Sequence, residues 1–268
     1  MTHVWIVPAT YEGPQLKAQI AAMLDRLPEG TVGHGKRVLI KPNLLVPALP
    51  EQAVTTHPLV VRAVAEYACE LGAKVTVADS PATVAAERVF RKGGYLQALE
   101  GLSARTANLE STVPVDIGEP FGHVPIAEAV MQADVVLNLA KLKTHTQMLL
   151  TLGVKNLFGC VVGMEKARWH LRTGIDRQQF ARLLVRICAA VKSTYTIVDG
   201  IQALEGQGPG PRGEPCDFGL LVGGENPFAV DKAICLLLGL DPHQLATNHQ
   251  AEALGIFDGR VHIHGDVT

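Results

Sequence analysis

At 268 residues, 47% hydrophobic and 19% charged, the chain is long enough to bury a large core, and the balance excludes a disordered protein. No apolar run approaches the roughly 20 residues of a membrane span, and MTHVWIVPAT lacks the basic and apolar regions of a signal peptide, so the expected location is the cytoplasm with no membrane partner. A net charge of -2, a pI near 6.5 and 5% aromatic residues argue against nucleic acid as a partner.

In chain order, Lys36 to Leu45 (KRVLIKPNLL) reads as a buried strand running into a polar turn. His57 to Gly72 reads as a helix, with Pro58 in its first turn and Gly72 at its end. KVTVAD, from Lys74 to Asp79, is the next strand, followed by helical segments over Thr83 to Lys92 and Gly94 to Leu99. Val113 to Ile117 is a short strand, Ile126 to Gln132 a helix and Asp134 to Leu139 a strand. Then come a long helix from Gln178 to Lys192, strands at Thr194 to Val198 and Phe218 to Val222, and a helix from Pro227 to Leu238. A last helix is expected within Asp241 to Gly255 and a closing strand at Arg260 to His264. GQGPGPRG, from Gly206 to Gly213, is a loop. This alternation predicts an α/β fold, Rossmann-like, with a mostly parallel sheet covered by helices on both faces. It forms one domain over residues 1–268 or two intimately joined lobes.

Charge is segregated. Between Asn138 and Arg172 lie Lys141, Lys143, Lys155, Lys166, Arg168 and Arg172 against the single acid Glu165, so this window is formally +5 and the remainder -7. Two such lysines about 8 Å apart in one cleft repel by roughly 2 kcal/mol at an effective dielectric near 20, which nearby carboxylates or a bound anion would relieve. A solvated helix face is the plainer alternative. The interleaved Asn138, Thr144, His145, Asn156 and His170 argue for the cleft, because they are directional hydrogen-bonding groups.

Polar residues also follow the ends of four expected strands: Lys41 and Asn43, Asp79 and Ser80, Lys141 to His145, and Asp199. Open α/β sheets bind ligands at that edge. Lys141, Lys143 and His145 alternate, which puts them on one face if strand geometry persists. Lys155 and Asn156 lie near Gly153 and Gly159, where backbone amides could approach a ligand. Lys143 is read as an anion clamp before an amine base or Schiff-base nucleophile, and His145 and His170 as proton-moving groups or structural hydrogen bonders. Asp199, Glu205 and Asp231 are the oxygen donors suited to a divalent cation, or else carboxylates that pair with the lysines. No phosphate loop or Gly-x-Gly-x-x-Gly fingerprint is present, so no cofactor is identified. Five cysteines at wide, irregular spacing fit neither disulfides nor a paired metal motif, and Cys160 is either activated by the basic window or simply packed.

The blocks VLIKPNLL, TTHPLVVRAV, VTVADSP, NLAKLKTHTQMLLTLGVKNLFGCVVGMEKARWH, IVDGIQALEGQGPG and NPFAVDKAICLLLG resemble, in order, those of the bacterial and archaeal family named domain of unknown function 362. The resemblance implies an α/β protein whose relatives are often described as iron-sulfur proteins, because many have an appended ferredoxin module. By position it marks Lys41, Asn43, Asp79, Lys141, Lys143, His145, Lys155, Asn156, His170, Asp199, Glu205 and Asp231. This chain lacks a C-x-x-C-x-x-C-x-x-x-C-P run, so an iron-sulfur cluster held by it alone is not expected. Two functions fit. One is an enzyme acting on a small carboxylate or phosphate through a lysine-rich site. The other is a non-catalytic redox or assembly module that docks a ferredoxin-like partner.

Overall fold

The segment Val135–His145 is buried along most of its length and sends alternate side chains into two different cores, which fixes the layering of the molecule. Val136, Ala140 and Leu142 enter one core, and Val135, Leu137 and Leu139 the other. A strand apolar on both faces must be covered on both. The computed structural model describes residues 2–81, 83–173 and 175–265.

The strands are β1 Thr2–Pro8, β2 Arg37–Pro42, β3 Lys74–Asp79, β4 Ala104–Asn108, β5 Thr112–Asp116, β6 His123–Ala127, β7 Val135–His145, β8 Leu149–Thr151, β9 Tyr195–Gly206, β10 Gly213–Gly224 and β11 Val261–His264. The helices are α1 Gly13–Leu24, α2 Pro58–Glu70, α3 Ala86–Lys92, α4 Tyr95–Ala98, α5 Glu128–Gln132, α6 Gly153–Asn156, α7 Glu165–Thr173, α8 Arg177–Val191, α9 Pro227–Leu237 and α10 Ala246–Ala253. The main sheet runs β11-β1-β10-β9-β7-β2-β3-β4, with β8 added to the far end of β7, while β5 and β6 form a separate antiparallel pair. From β9 to β4 every neighbouring pair is parallel, whereas β10 is antiparallel to both β9 and β1.

One face packs against α1 to α4 through Leu16, Ile20, Val60, Val64, Phe90 and Tyr95. The other packs against α8, α9 and α10 through Phe180, Leu184, Val230, Ile234 and Ala251. Local sequence starts these helices: Asp176 accepts from the Gln178 and Gln179 amides ahead of α8, and Asn226 accepts from Phe228 and Ala229 ahead of α9, with Pro227 in the first turn.

The α/β architecture is as expected, and the differences lie at strand ends and edges. β7 runs on to His145 rather than stopping at Leu139, because the polar groups of its second half find buried partners. The expected loop Gly206 to Gly213 is the turn of a long antiparallel hairpin, in which Gly206 pairs with Gly213. β1, β4 and β6 were not anticipated. β4 is only half-buried, so its ARTAN sequence shows little hydrophobic alternation.

Candidate functional site

β2, β3 and β7 are parallel neighbours, so their carboxyl ends meet at one edge of the sheet, where β8, α6 and the 3-10 turn Leu157–Cys160 fold back and α7 lies across. Together they enclose a cavity of about 580 Å³ lined by Lys41, Asn43, Asp79, Ser80, Lys143, His145, Thr151, Lys155, Asn156, Lys166 and His170, with Leu44, Leu45, Phe158, Leu171 and Pro209 among its apolar walls. Four lysines against one aspartate leave the lining formally +3 with neutral histidines.

The four lysines are held differently. Lys41 Nζ lies 2.8 Å from Asp79 Oδ1, and that carboxylate also accepts from the Leu44 and Ser80 amides, each at 2.9 Å. Lys143 Nζ donates to Asn43 Oδ1 at 2.8 Å and to the Val54 carbonyl at 2.6 Å, and pairs with no carboxylate among the described residues. Lys166 donates to the Ser80 carbonyl. Lys155, half-buried, has no hydrogen-bond or ion-pair partner among the described residues. A chain of amides braces the site: Asn43 donates to Asn156 at 3.0 Å, Asn156 to Asn138 at 2.8 Å, and Asn138 to the Gly153 carbonyl at 3.0 Å. Thr151 Oγ1 is buried in the wall with no partner among the described residues.

Burial in this positive setting lowers the basic groups. Lys143 falls well below the usual lysine range, first through burial and then through Lys155 and Lys141. Burial brings Lys155 to about 8 and Lys166 to about 8. His145 is pushed down to about 2 by burial, reinforced by Lys155 and Lys143, and is neutral. Its Nδ1 accepts from the Gln147 and Met148 amides at 3.1 and 3.2 Å, so its proton sits on Nε2. His170 is lowered by burial and Lys155, and packs against Phe158 and Phe180.

Seven expected residues therefore share the cavity: Lys41, Asn43, Lys143, His145, Lys155, Asn156 and His170. Lys141 does not. β7 keeps its alternation, with Ala140 and Leu142 in one core, but β9 is irregular beside it: Lys141 stands opposite Asp199 and Lys143 opposite Leu204, so the two lysines meet different partners. Lys141 instead lies 2.9 Å from Asp199, whose other oxygen accepts from Tyr11 at 2.9 Å, while the His57 amide donates to the carboxylate at 2.9 Å. Tyr11 stacks on His57 with ring centroids 3.7 Å apart. Nothing in the sequence pattern at Tyr11 signals this second cluster.

Asp199, Glu205 and Asp231, read as donors for a divalent cation or as carboxylates that pair with the lysines, have separate surroundings. Asp199 is consumed by Lys141 and Tyr11, and Glu205 is exposed on the β9 to β10 hairpin. Asp231 accepts from the Gly153 and Val154 amides at 2.8 and 3.1 Å, capping α6. Among the described residues no group of three or more His, Cys, Asp or Glu is arranged to hold a metal ion. The Gly153 amide is occupied by Asp231, whereas Gly159 lines the cavity, and both glycines allow close packing. A Cβ on Gly159 would lie 2.5 Å from Lys41 Nζ and 2.7 Å from Asp79 Oδ1. Cys160 is packed, with burial raising its thiol to about 12. Asp79, Ser80 and Lys166 join the site; the first two were visible as strand-end residues and the third within the basic window.

A larger cavity, about 710 Å³, opens at the opposite ends of β2 and β3. It has less chemistry to offer: Arg37 is bound by Asp134 at 3.0 Å and Arg105 donates to Thr76.

The fold and site define an α/β protein with a cation-lined cleft at the carboxyl ends of parallel strands. The chain belongs to the family described as domain of unknown function (DUF362), whose model matches residues 38–236. It is 40% identical over 251 residues to a thylakoid-associated protein of Synechocystis sp., covering 92% of this chain and 77% of that one. Among solved structures it is similar in fold to a Thermotoga maritima protein (TM-score 0.50, 16% identity, 87% of this chain) and to the lactate racemase apoprotein of Thermoanaerobacterium thermosaccharolyticum (TM-score 0.50, 11% identity, 85% of this chain). The match spans 60% and 55% of those two chains. Among the described residues no helix is long and apolar enough to cross a membrane.

Proposed function

We propose that the protein is an enzyme acting on a small anionic metabolite, a carboxylate or phosphate, held in the strand-end cavity. The observation that carries this reading is the half-buried Lys155 ammonium, which has no acceptor among the described residues in a lining that is formally +3. A bound anion supplies the missing counter-charge. The unpartnered Thr151 hydroxyl offers the same ligand a hydrogen bond. In this reading Lys155 and Lys41 bind the anion, Asn43 and Asn156 fix the amine of Lys143 beside it, and His145 offers its Nε2–H as a hydrogen-bond donor. No divalent metal is assigned, because Asp199 and Asp231 hold other groups and Glu205 is exposed on the hairpin.

Thermal denaturation with pyrophosphate or citrate tests the reading. A ligand at a hundredfold excess over its dissociation constant stabilises by about 2.7 kcal/mol. Stabilisation that Lys155→Ala loses is expected; equal shifts in both proteins would contradict the site.

A second reading, docking of an acidic ferredoxin-like partner, is favoured by one feature. Met164, Leu171 and Ile175 are 68, 80 and 100% exposed beside the exposed Arg168 and Arg172, at the rim of the same cavity. Salt-sensitive binding to an acidic iron-sulfur protein, lost in Arg168→Glu/Arg172→Glu, supports it, and absence of binding at low salt counts against it. Five free cysteines suit a reducing cytoplasm. The relative's description as thylakoid-associated makes a membrane surface the alternative site of action, and cell fractionation separates the two.

A further inference from the structure

The four cavity lysines are not chemically equivalent. Lys41 has a carboxylate, Lys166 is spent on a backbone carbonyl, and Lys155 is open to a ligand. Lys143 is buried, with two neutral oxygen acceptors and, among the described residues, no acid partner. A neutral amine has two N–H groups and one lone pair. The Asn43 amide oxygen and the Val54 carbonyl use both hydrogens, and among the described residues no third acceptor is within hydrogen-bond distance of Nζ. An ammonium at the same place would leave its third N–H unpaired in a buried site, which is unfavourable. The amide chain from Asn43 through Asn156 to Asn138 holds that orientation. Burial and the neighbouring Lys155 both favour the uncharged amine.

We propose that Lys143 is an amine nucleophile that condenses with the carbonyl carbon of a small aldehyde or ketone bearing a carboxylate or phosphate, whose charge is held by Lys155. This deepens the anionic-metabolite reading and rests on it. The Nζ lone pair forms the C–N bond as the carbonyl π bond breaks, and one proton passes from the amine nitrogen to the carbonyl oxygen, which becomes a hydroxyl that His145 Nε2–H can hydrogen-bond. The nitrogen then gives its second proton to that hydroxyl, and the C–O bond breaks to release water. The net change is amine plus carbonyl to imine plus water, with no oxidant or reductant required. The buried apolar walls at Leu44 and Phe158 shield the imine from hydrolysis.

Borohydride trapping on the wild-type chain tests this. The protein is incubated with glyoxylate or pyridoxal 5′-phosphate near pH 7.5, reduced, digested and mapped by peptide mass, with and without excess pyrophosphate. A reduced adduct on Lys143, at least tenfold more occupied than on exposed lysines such as Lys74 and suppressed by pyrophosphate, is the expected result. Adducts confined to Lys155, Lys166 or surface lysines, in protein that pyrophosphate still stabilises, would overturn the imine and leave the anion site standing. Unmodified Lys143 in protein that pyrophosphate does not stabilise would remove both.

Discussion

At the scale of single residues, the site is built from charges whose burial is only partly repaid. The Lys41 and Asp79 side chains are 1 and 6% exposed, so removing one partner strands the other. Asp79→Ala is expected to lower unfolding free energy by about 3–5 kcal/mol in urea, while a Lys41→Met/Asp79→Leu double variant loses less than the sum of the singles. Lys155 and Lys166 titrate near 8 in the fold against about 10.4 in an unfolded chain. Between those values the unfolded chain binds more protons, so these two groups make stability rise with pH from about 8 to 10.4. Anion affinity runs the other way, falling as Lys155 loses its proton above pH 8, by up to tenfold per pH unit. Opposite slopes in urea melts and ligand titrations across pH 7 to 10 are the expected signature; parallel slopes would mean that neither lysine meets the ligand. Much of this scale was legible, because Lys41, Asn43, Asp79 and Lys143 follow strands whose ends must gather at one edge. The split roles of Lys141 and Lys143 were not, since they are set by Asp199 on β9 and by Asn43 and Val54 beyond β2, all distant in sequence.

At the scale of elements, two short connections position the ligand-facing groups. α6 has a single turn, and it is fixed because Asp231 on α9 takes the Gly153 and Val154 amides. Asp231→Ala orphans two buried donors, each worth about 1–3 kcal/mol, and is expected to destabilise the protein and weaken anion binding by displacing Lys155 and Asn156. Asp231→Asn, which keeps an acceptor, is expected to recover most of both. The 3-10 turn after α6 passes close enough to the Lys41 and Asp79 pair that only glycine fits at 159. Gly159→Ala is therefore expected to lower the melting temperature and the anion response together, and a neutral outcome would show that the pair can shift. Sequence periodicity located α2, α8 and α9 because each has a buried stripe and a readable start. It could not assign Asp231, whose task is set by a segment almost eighty residues earlier in the chain.

At the scale of the whole molecule, segregated charge becomes a local field. The basic window folds back on itself through β7, β8, α6 and α7, and two of its cations, Lys141 and Arg168, are neutralised by acids while the rest of the cluster faces the cavity or its rim. The parallel half of the sheet was legible from strand and helix alternation. The antiparallel half was less so, because β1 and the outer part of β10 depend on pairing between distant segments and are partly exposed. The most direct test of the account is calorimetric titration of pyrophosphate into the wild-type protein and Lys155→Ala at pH 7. The expected result is saturable binding at one site per chain, weakened at least tenfold, or about 1.4 kcal/mol, in the variant. Equal affinity in the two proteins, or no binding to either, would contradict the assignment of the strand-end cavity as an anion site.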